Sequence, residues 1–146
     1  MSDIKIIGDK VLIAKIDKLI SMGANRSAIR GIFNRASKPL RMAARSNAKR
    51  NKVTGTLWRA IKMINSRRNR SLFWIGPARG RKQTYDAWYA YFIEAGTQVR
   101  GLRSGKLTGK IRPSRFMAKA YFSTKGTVKI NIGKELNKLI IKLTHA

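Results

Sequence analysis

Basic residues run through the whole length of this chain. Of its 33 Lys and Arg, 12 fall in residues 1–50, 10 in 51–100 and 11 in 101–146. Six carboxylates oppose them, leaving a formal net charge of +27. No segment can therefore be buried whole. Each helix or strand has to turn an apolar face inward and hold its cations in water. The chain can meet that demand, since 43% of its residues are apolar. Its 146 residues fit one domain, 1–146, with a sizeable core.

A surface of one sign attracts polyanions: nucleic acid, acidic proteins or anionic lipid. Solubility alone does not account for it, because ordinary soluble domains interleave both signs. No apolar run reaches the roughly 18 residues of a membrane span. The opening "MSDIKIIGDK" lacks a basic leader and a small-residue cleavage site. The expectation is a protein made and kept in a cytoplasm, or in something assembled there, with no membrane partner.

Hydrophobic spacing then divides the chain. "DIKII" (3–7) reads as a short strand, and 9–22 as a helix with Val11, Leu12, Ile16, Leu19 and Ile20 on one face and a stop at Gly23. Across 25–50, Ile29, Ile32, Phe33, Ala36, Leu40 and Ala43 share a helical face. Arg26, Arg30, Lys38, Arg41, Arg45 and Lys49 lie opposite. Pro39 predicts a kink or break at Lys38. "NKVTGTL" (51–57) is a turn in which Gly55 is the flexible position and Thr54 or Thr56 a cap. Residues 57–64 fit a helix or a strand. "LFWIGP" (72–77) and the aromatic run 85–95 read as two strands that pair.

Residues 97–112 form a long, mobile, basic loop carrying Arg100, Arg103, Lys106, Lys110 and Arg112, with Arg115 just beyond. Residues 113–122 read as a helix opened by Pro113. In 127–143, Val128, Ile132, Leu136, Leu139, Ile140 and Leu143 share a helical face, although 127–132 could alternate as a strand.

Catalytic chemistry finds no footing. Cysteine is absent and the one histidine, His145, stands near the chain end, which argues against thiolate chemistry, zinc, haem and triad catalysis. In "GLRSGKLTGK" only three residues separate Gly101 from Gly105, and Leu107 follows Lys106, so a phosphate-binding loop is not formed. Asp86 and Glu94, the only acids sharing an element, would stand about 26 Å apart on a strand at about 3.3 Å per residue. That is too far for paired carboxylates. Clustered oxygen ligands for magnesium are likewise missing. The expectation is a protein that is not an enzyme and needs no cofactor.

Three segments read in order carry a resemblance: "ARSNAKRNKVTGTLWRAI" (44–61), "YAYFIEAGT" (89–97) and "RFMAKAY" (115–121). Together they resemble the tail-completion, or head–tail joining, proteins of the neck of long-tailed bacteriophages. That family shows a basic helix running into a Thr-Gly-x-Leu turn, an aromatic-aliphatic-Glu-x-Gly-Thr motif, and a Pro-Phe-Leu-x-Pro-Ala helix start. Here the matching residues are Thr54, Gly55 and Leu57, then Phe92, Ile93, Glu94, Gly96 and Thr97, then Phe116, Met117, Ala120 and Tyr121. Order and spacing agree over about residues 24–143. The chain departs from the pattern at Lys52 and Val53, where a proline is usual, and at Arg115 and Lys119, which stand at the two proline positions of the third motif.

The resemblance implies an α+β subunit in which helices pack against an antiparallel sheet of about four strands, with a long C-terminal helix. It implies a homo-oligomeric ring, usually sixfold, in the virion neck. Its neighbours there would be the head connector or portal-side proteins and the tail tube or tail terminator, with a bore for DNA. Glu94 is expected to pin a corner by pairing with Arg112, Arg115 or an Arg of the next subunit. The competing expectation is a nucleic-acid-binding module of ribosomal or nucleoid type, in which Trp58, Trp74, Trp88 and Tyr89 stack bases. Against it, Trp74 and Trp88 lie in apolar runs, where core packing is the commoner fate.

Overall fold

The computed structural model describes residues 14, 17–19, 21, 26–50, 55–65, 73–80, 82–101 and 104–145. The expected strand at 3–7, Gly23, Thr54 and Arg103 lie outside these residues. The chain forms two compact units, one of residues 1–37 with 127–146 and the other of residues 38–126.

In the first unit, Ala14, Asp17, Lys18, Leu19 and Ser21 are helical, in keeping with the spacing of 9–22, and Leu19 is fully buried. Helix α1 spans Arg26–Ala36 and buries Ile29, Ile32 and Ala36, one face at helical spacing. The C-terminal part of this unit buries Val128, Ile132 and Leu136, again one helical stripe, so the strand alternative for 127–132 falls. Arg35 Nε and Nη2 each reach Glu135 Oε2 at 3.0 Å, and Lys138 Nζ reaches Glu135 Oε1 at 3.3 Å.

α1 ends where the proline demanded. Ser37 is a turn residue, its N–H donating to Phe33 O at 3.0 Å, and helix α2 restarts at Lys38–Lys49. Pro39 cannot donate to the carbonyl four residues back and its ring crowds that carbonyl, so the break falls ahead of it.

The second unit holds α2, helix α3 (Thr56–Ala60), strand β1 (Ile61–Asn65), strand β2 (Phe73–Pro77), helix α4 (Ala90–Ala95), and strands β3 (Arg100–Gly101) and β4 (Leu107–Gly109). Helix α5 (Phe116–Thr144) starts here, residues 116–126 counting with this unit and 127–144 with the first. The 57–64 ambiguity resolves into both answers, a helix to Ala60 and a strand from Ile61. Arg45 marks the junction. Its Nε and Nη2 donate to Ile61 O at 3.1 and 2.8 Å, so a guanidinium closes the carbonyl end of α3.

Three strand expectations need correcting. β2 pairs antiparallel with β1, from Ile61 opposite Pro77 to Asn65 opposite Phe73, and not with 85–95. Residues 85–95 are turns followed by α4, because their apolar and aromatic side chains group on a helical turn rather than alternate. Among the described residues the strands form two separate two-stranded ribbons, β1–β2 and β3–β4, so a four-stranded sheet is not made. The molecule is thus broadly α+β: mainly helical, with small antiparallel pairing and a long C-terminal helix.

The core of the second unit is built largely from alanine. Ala44, Ala48, Ala60, Ala78, Ala87, Ala90 and Ala120 are buried, and among larger residues Leu40, Leu57, Ile61 and Phe116 join them. Small side chains let backbones approach closely, and the approach is visible as cross-links. Ala78 N donates to Ala60 O at 2.9 Å and Ala87 N to Ala78 O at 3.0 Å. No helix among the described residues is long and apolar enough to cross a membrane.

Candidate functional site

The second and third motifs meet at one corner, and several of their residues have a physical task there. Helix α5 begins at Phe116, so its first N–H groups lack partners within the helix. Glu94, near the end of α4, supplies them: Oε2 accepts from Met117 N at 2.9 Å and Oε1 from Ala118 N at 3.0 Å. A carboxylate there also sits against the positive end of the helix dipole. Two backbone bonds complete the joint, Ser114 N to Ile93 O at 2.8 Å and Arg115 N to Glu94 O at 3.2 Å. The expected pairing of Glu94 with Arg112 or Arg115 is therefore wrong. Its charge is met by backbone N–H groups, which a helix start presents ready-made.

Gly96 has φ +77°, and a Cβ there would stand 2.8 Å from Ile111 O and 2.9 Å from Pro113 Cδ. Only glycine fits both the angle and the space. Thr97 then closes the loop. Its N–H donates to Ile111 O, and its Oγ1 accepts from Ile111 N, both at 3.0 Å. The loop between is not shapeless: Arg100 faces Gly109 and Gly101 faces Leu107 in the β3–β4 ribbon, with an irregularity between them.

Phe116 is 1% exposed, and its carbonyl accepts from Asn47 Nδ2 at 3.2 Å, tying α2 to the start of α5. Ala120, one turn on, is fully buried. The first motif contributes Gly55, at φ +70° as the N-cap of α3 without a side-chain cap, and buried Leu57. Thr56 is therefore the first helical residue and not the cap. Helix α5 starts three residues after Pro113, with Arg115 at φ +51°. Proline cannot adopt that angle, and it would also lose the N–H that bonds Glu94 O. The backbone at this position therefore excludes proline.

Of the basic residues expected to meet DNA or an acidic partner, Lys106, Lys110, Arg112 and Arg115 are exposed. None forms an ion pair with another described residue. Arg100 lies in β3. Lys110 and Arg112 stand beside a shallow open groove along Gly96 and Pro113.

Three of the four described carboxylates are committed within the chain. Glu94 caps α5, Asp86 Oδ1 accepts from Gly80 N at 3.1 Å, and Glu135 joins Arg35 and Lys138. The turn-and-helix path from Asp86 to Glu94 overturns the strand-based separation. Each acid nonetheless serves a different backbone segment. The hydrogen bond from Arg35, then that from Lys138, holds the Glu135 carboxyl below its ordinary pKa. Burial, then the nearby Arg45 charge, lowers the pKa of Arg41. No group of three His, Cys, Asp or Glu able to hold a metal occurs among the described residues.

Sequence reasoning missed an aromatic ridge. Trp74 is 43% exposed and Trp88 61%, so neither is a core residue. Trp88 packs edge to face on Tyr89 and Phe92, with ring centroids 5.8 and 6.3 Å apart, and Tyr91 does so on Phe92 at 6.1 Å. The helical spacing of 88, 91 and 92 was the available signal. Trp58 instead has cations on its ring, Lys49 Nζ at 4.7 Å and Arg59 Cζ at 5.2 Å from the centroid. No family model matches this chain, and neither does any curated protein or solved structure.

Proposed function

We propose that this chain is a structural protein of a phage virion neck. In this reading it is a tail-completion subunit that closes into a sixfold ring joining the tail tube to the head connector, with a bore for DNA. The observation that carries the reading is the Glu94 corner. Of the residues matched in the two motifs, Glu94 and Met117 meet directly by a hydrogen bond, while Gly96 and Thr97 pack on and bond to Ile111 and Pro113, just ahead of the third motif. The corner supports the reading because a matched carboxylate and a matched helix start have complementary roles in it.

The role is mechanical and calls for no cofactor. Ring contacts are heterologous and close on themselves. Copies charged at +27 repel, so closure needs acidic neighbours or DNA phosphate as compensation. The exposed Lys106, Lys110, Arg112 and Arg115 are the groups offered to them. The site of action is the virion neck, after assembly in the host cytoplasm.

Electron cryo-microscopy of the purified protein and of its parent particle tests this. A closed sixfold ring, located between head and tail, is the expected result. A stable monomer that joins no particle would overturn it. One observation favours a second reading, a basic nucleic-acid-binding module: Trp74 and Trp88 are exposed beside so much positive charge. Tight binding with base preference at moderate salt would support that reading, whereas affinity that vanishes with salt is expected of any such polycation.

A further inference from the structure

We propose that the Trp88–Tyr91–Phe92 ridge is a docking surface for a protein partner with an apolar centre and an acidic rim. The ridge is an exposed patch of three large aromatic rings, which a soluble chain seldom leaves uncovered without use. Trp and Tyr are the residues that most often dominate binding energy at protein interfaces.

The local backbone sets what surrounds it. Ala60, Ala78 and Ala87 are joined in series by hydrogen bonds of 2.9 and 3.0 Å. That series brings three exposed residues into one neighbourhood, Arg59 before Ala60, Arg79 after Ala78 and Trp88 after Ala87. Arg59 Cζ also lies 5.7 Å from the Tyr85 ring centroid. The nearest carboxylates in sequence are Asp86, which accepts from Gly80 N, and Glu94, which caps α5. The ridge thus has a basic flank, and both acids nearest it in sequence are hydrogen-bonded within the chain.

Charge disfavours a second copy docking through this same face. Such a copy would bring its own Arg59 and Arg79 to the contact, and of its four described acids, Asp17, Asp86, Glu94 and Glu135, the last three are already engaged. Ring geometry argues against bases. Stacking needs ring faces open in succession, whereas these rings pack edge to face at interplanar angles of 86°, 81° and 70°. The Trp58 ring is already engaged by Lys49 and Arg59. An acidic, apolar-centred protein face is what remains.

The test uses the full chain and its Trp88→Ala and Tyr91→Ala variants, each checked for unchanged far-ultraviolet circular dichroism. The probes are a synthetic peptide alternating glutamate with leucine and phenylalanine, polyglutamate of equal charge, and oligothymidylate, each at about 0.15 M salt. The mixed peptide is expected to bind with a blue shift in tryptophan emission, and to lose about tenfold or more in affinity in each variant. Polyglutamate is expected to bind more weakly and equally to all three proteins. Equal affinity of the mixed peptide for wild type and both variants would overturn the proposal. So would oligothymidylate binding that depends on Trp88, or self-association that the Trp88 variant abolishes. The neck reading stands or falls separately, since the assay requires neither a ring nor a particle.

Discussion

Thr97 and Ile111 hold each other twice: the Thr97 N–H donates to the Ile111 carbonyl, and the Ile111 N–H donates to the Thr97 hydroxyl, each at 3.0 Å. Thr97→Val removes the second bond at nearly constant volume and leaves the Ile111 N–H without that acceptor. The expected cost is about 1–3 kcal/mol. Thr97→Ser keeps the bond and should stay near wild type. Urea unfolding measures the cost, and exchange of the Ile111 amide with solvent locates it. Slow exchange at Ile111 in the valine variant would show that the hydroxyl is not what protects it.

Within the chain Glu94 caps a helix and pairs with neither Arg112 nor Arg115, and capping and ion pairing predict different losses. Glu94→Ala removes two charge-assisted bonds to Met117 and Ala118 and should cost the subunit about 2–4 kcal/mol. Glu94→Gln retains an acceptor and should cost about half of that. Chemical denaturation of the unassembled protein reads both. If stability is untouched while ring formation is lost, the capping account fails.

Gly96 and Gly109 separate crowding from backbone angle. Both have positive φ, +77° and +79°, but a Cβ at Gly109 meets nothing within 4 Å. Gly109→Ala should cost about 1–2 kcal/mol from the angle alone. Gly96→Ala adds contacts of 2.8 and 2.9 Å against backbone and a proline ring, and should cost at least 2 kcal/mol more or prevent folding. Thermal melts of the two variants side by side give the comparison.

The Glu135 carboxyl is held below its ordinary pKa by Arg35 and Lys138. A depressed carboxylate pKa contributes stability that is fully present above the unfolded value of about 4.3 and is lost as pH falls through the lower folded value. The expected signature is a small acid-side loss of stability, below about pH 4, that Glu135→Gln removes. Because Arg35 is largely exposed, salt should shrink the effect as well.

The helices were legible where side-chain periodicity and proline left one answer, as at Ile29, Ile32 and Pro39, whereas the Val128–Leu136 stripe began in a β-branched stretch that fitted a strand as well. The strands were less so. Residues 85–95 are apolar enough for a buried strand, and a short apolar run does not reveal its own period. The partner of β2 was hidden because β1 begins within the helical turn of "LWRAIKMI". The motif residues of the corner were readable as a set, but their chemistry was not. That Glu94 bonds backbone N–H groups depends on where α5 starts, which Pro113 misplaced by three residues. Exposure of Trp88 was unreadable because an aromatic run looks the same whether a core or a partner is to cover it.

The reciprocal Thr97–Ile111 clasp makes the stretch it encloses a replaceable cartridge. Everything that fixes the frame lies at or outside the clasp, and the tip at Ser104 and Gly105 is exposed, with free space around Gly105. Doubling the length of such a closed loop costs only about 0.6 kcal/mol. Epitopes, fluorophore tags or altered basic sequences can therefore be spliced in at the tip while the α4–α5 joint stays intact.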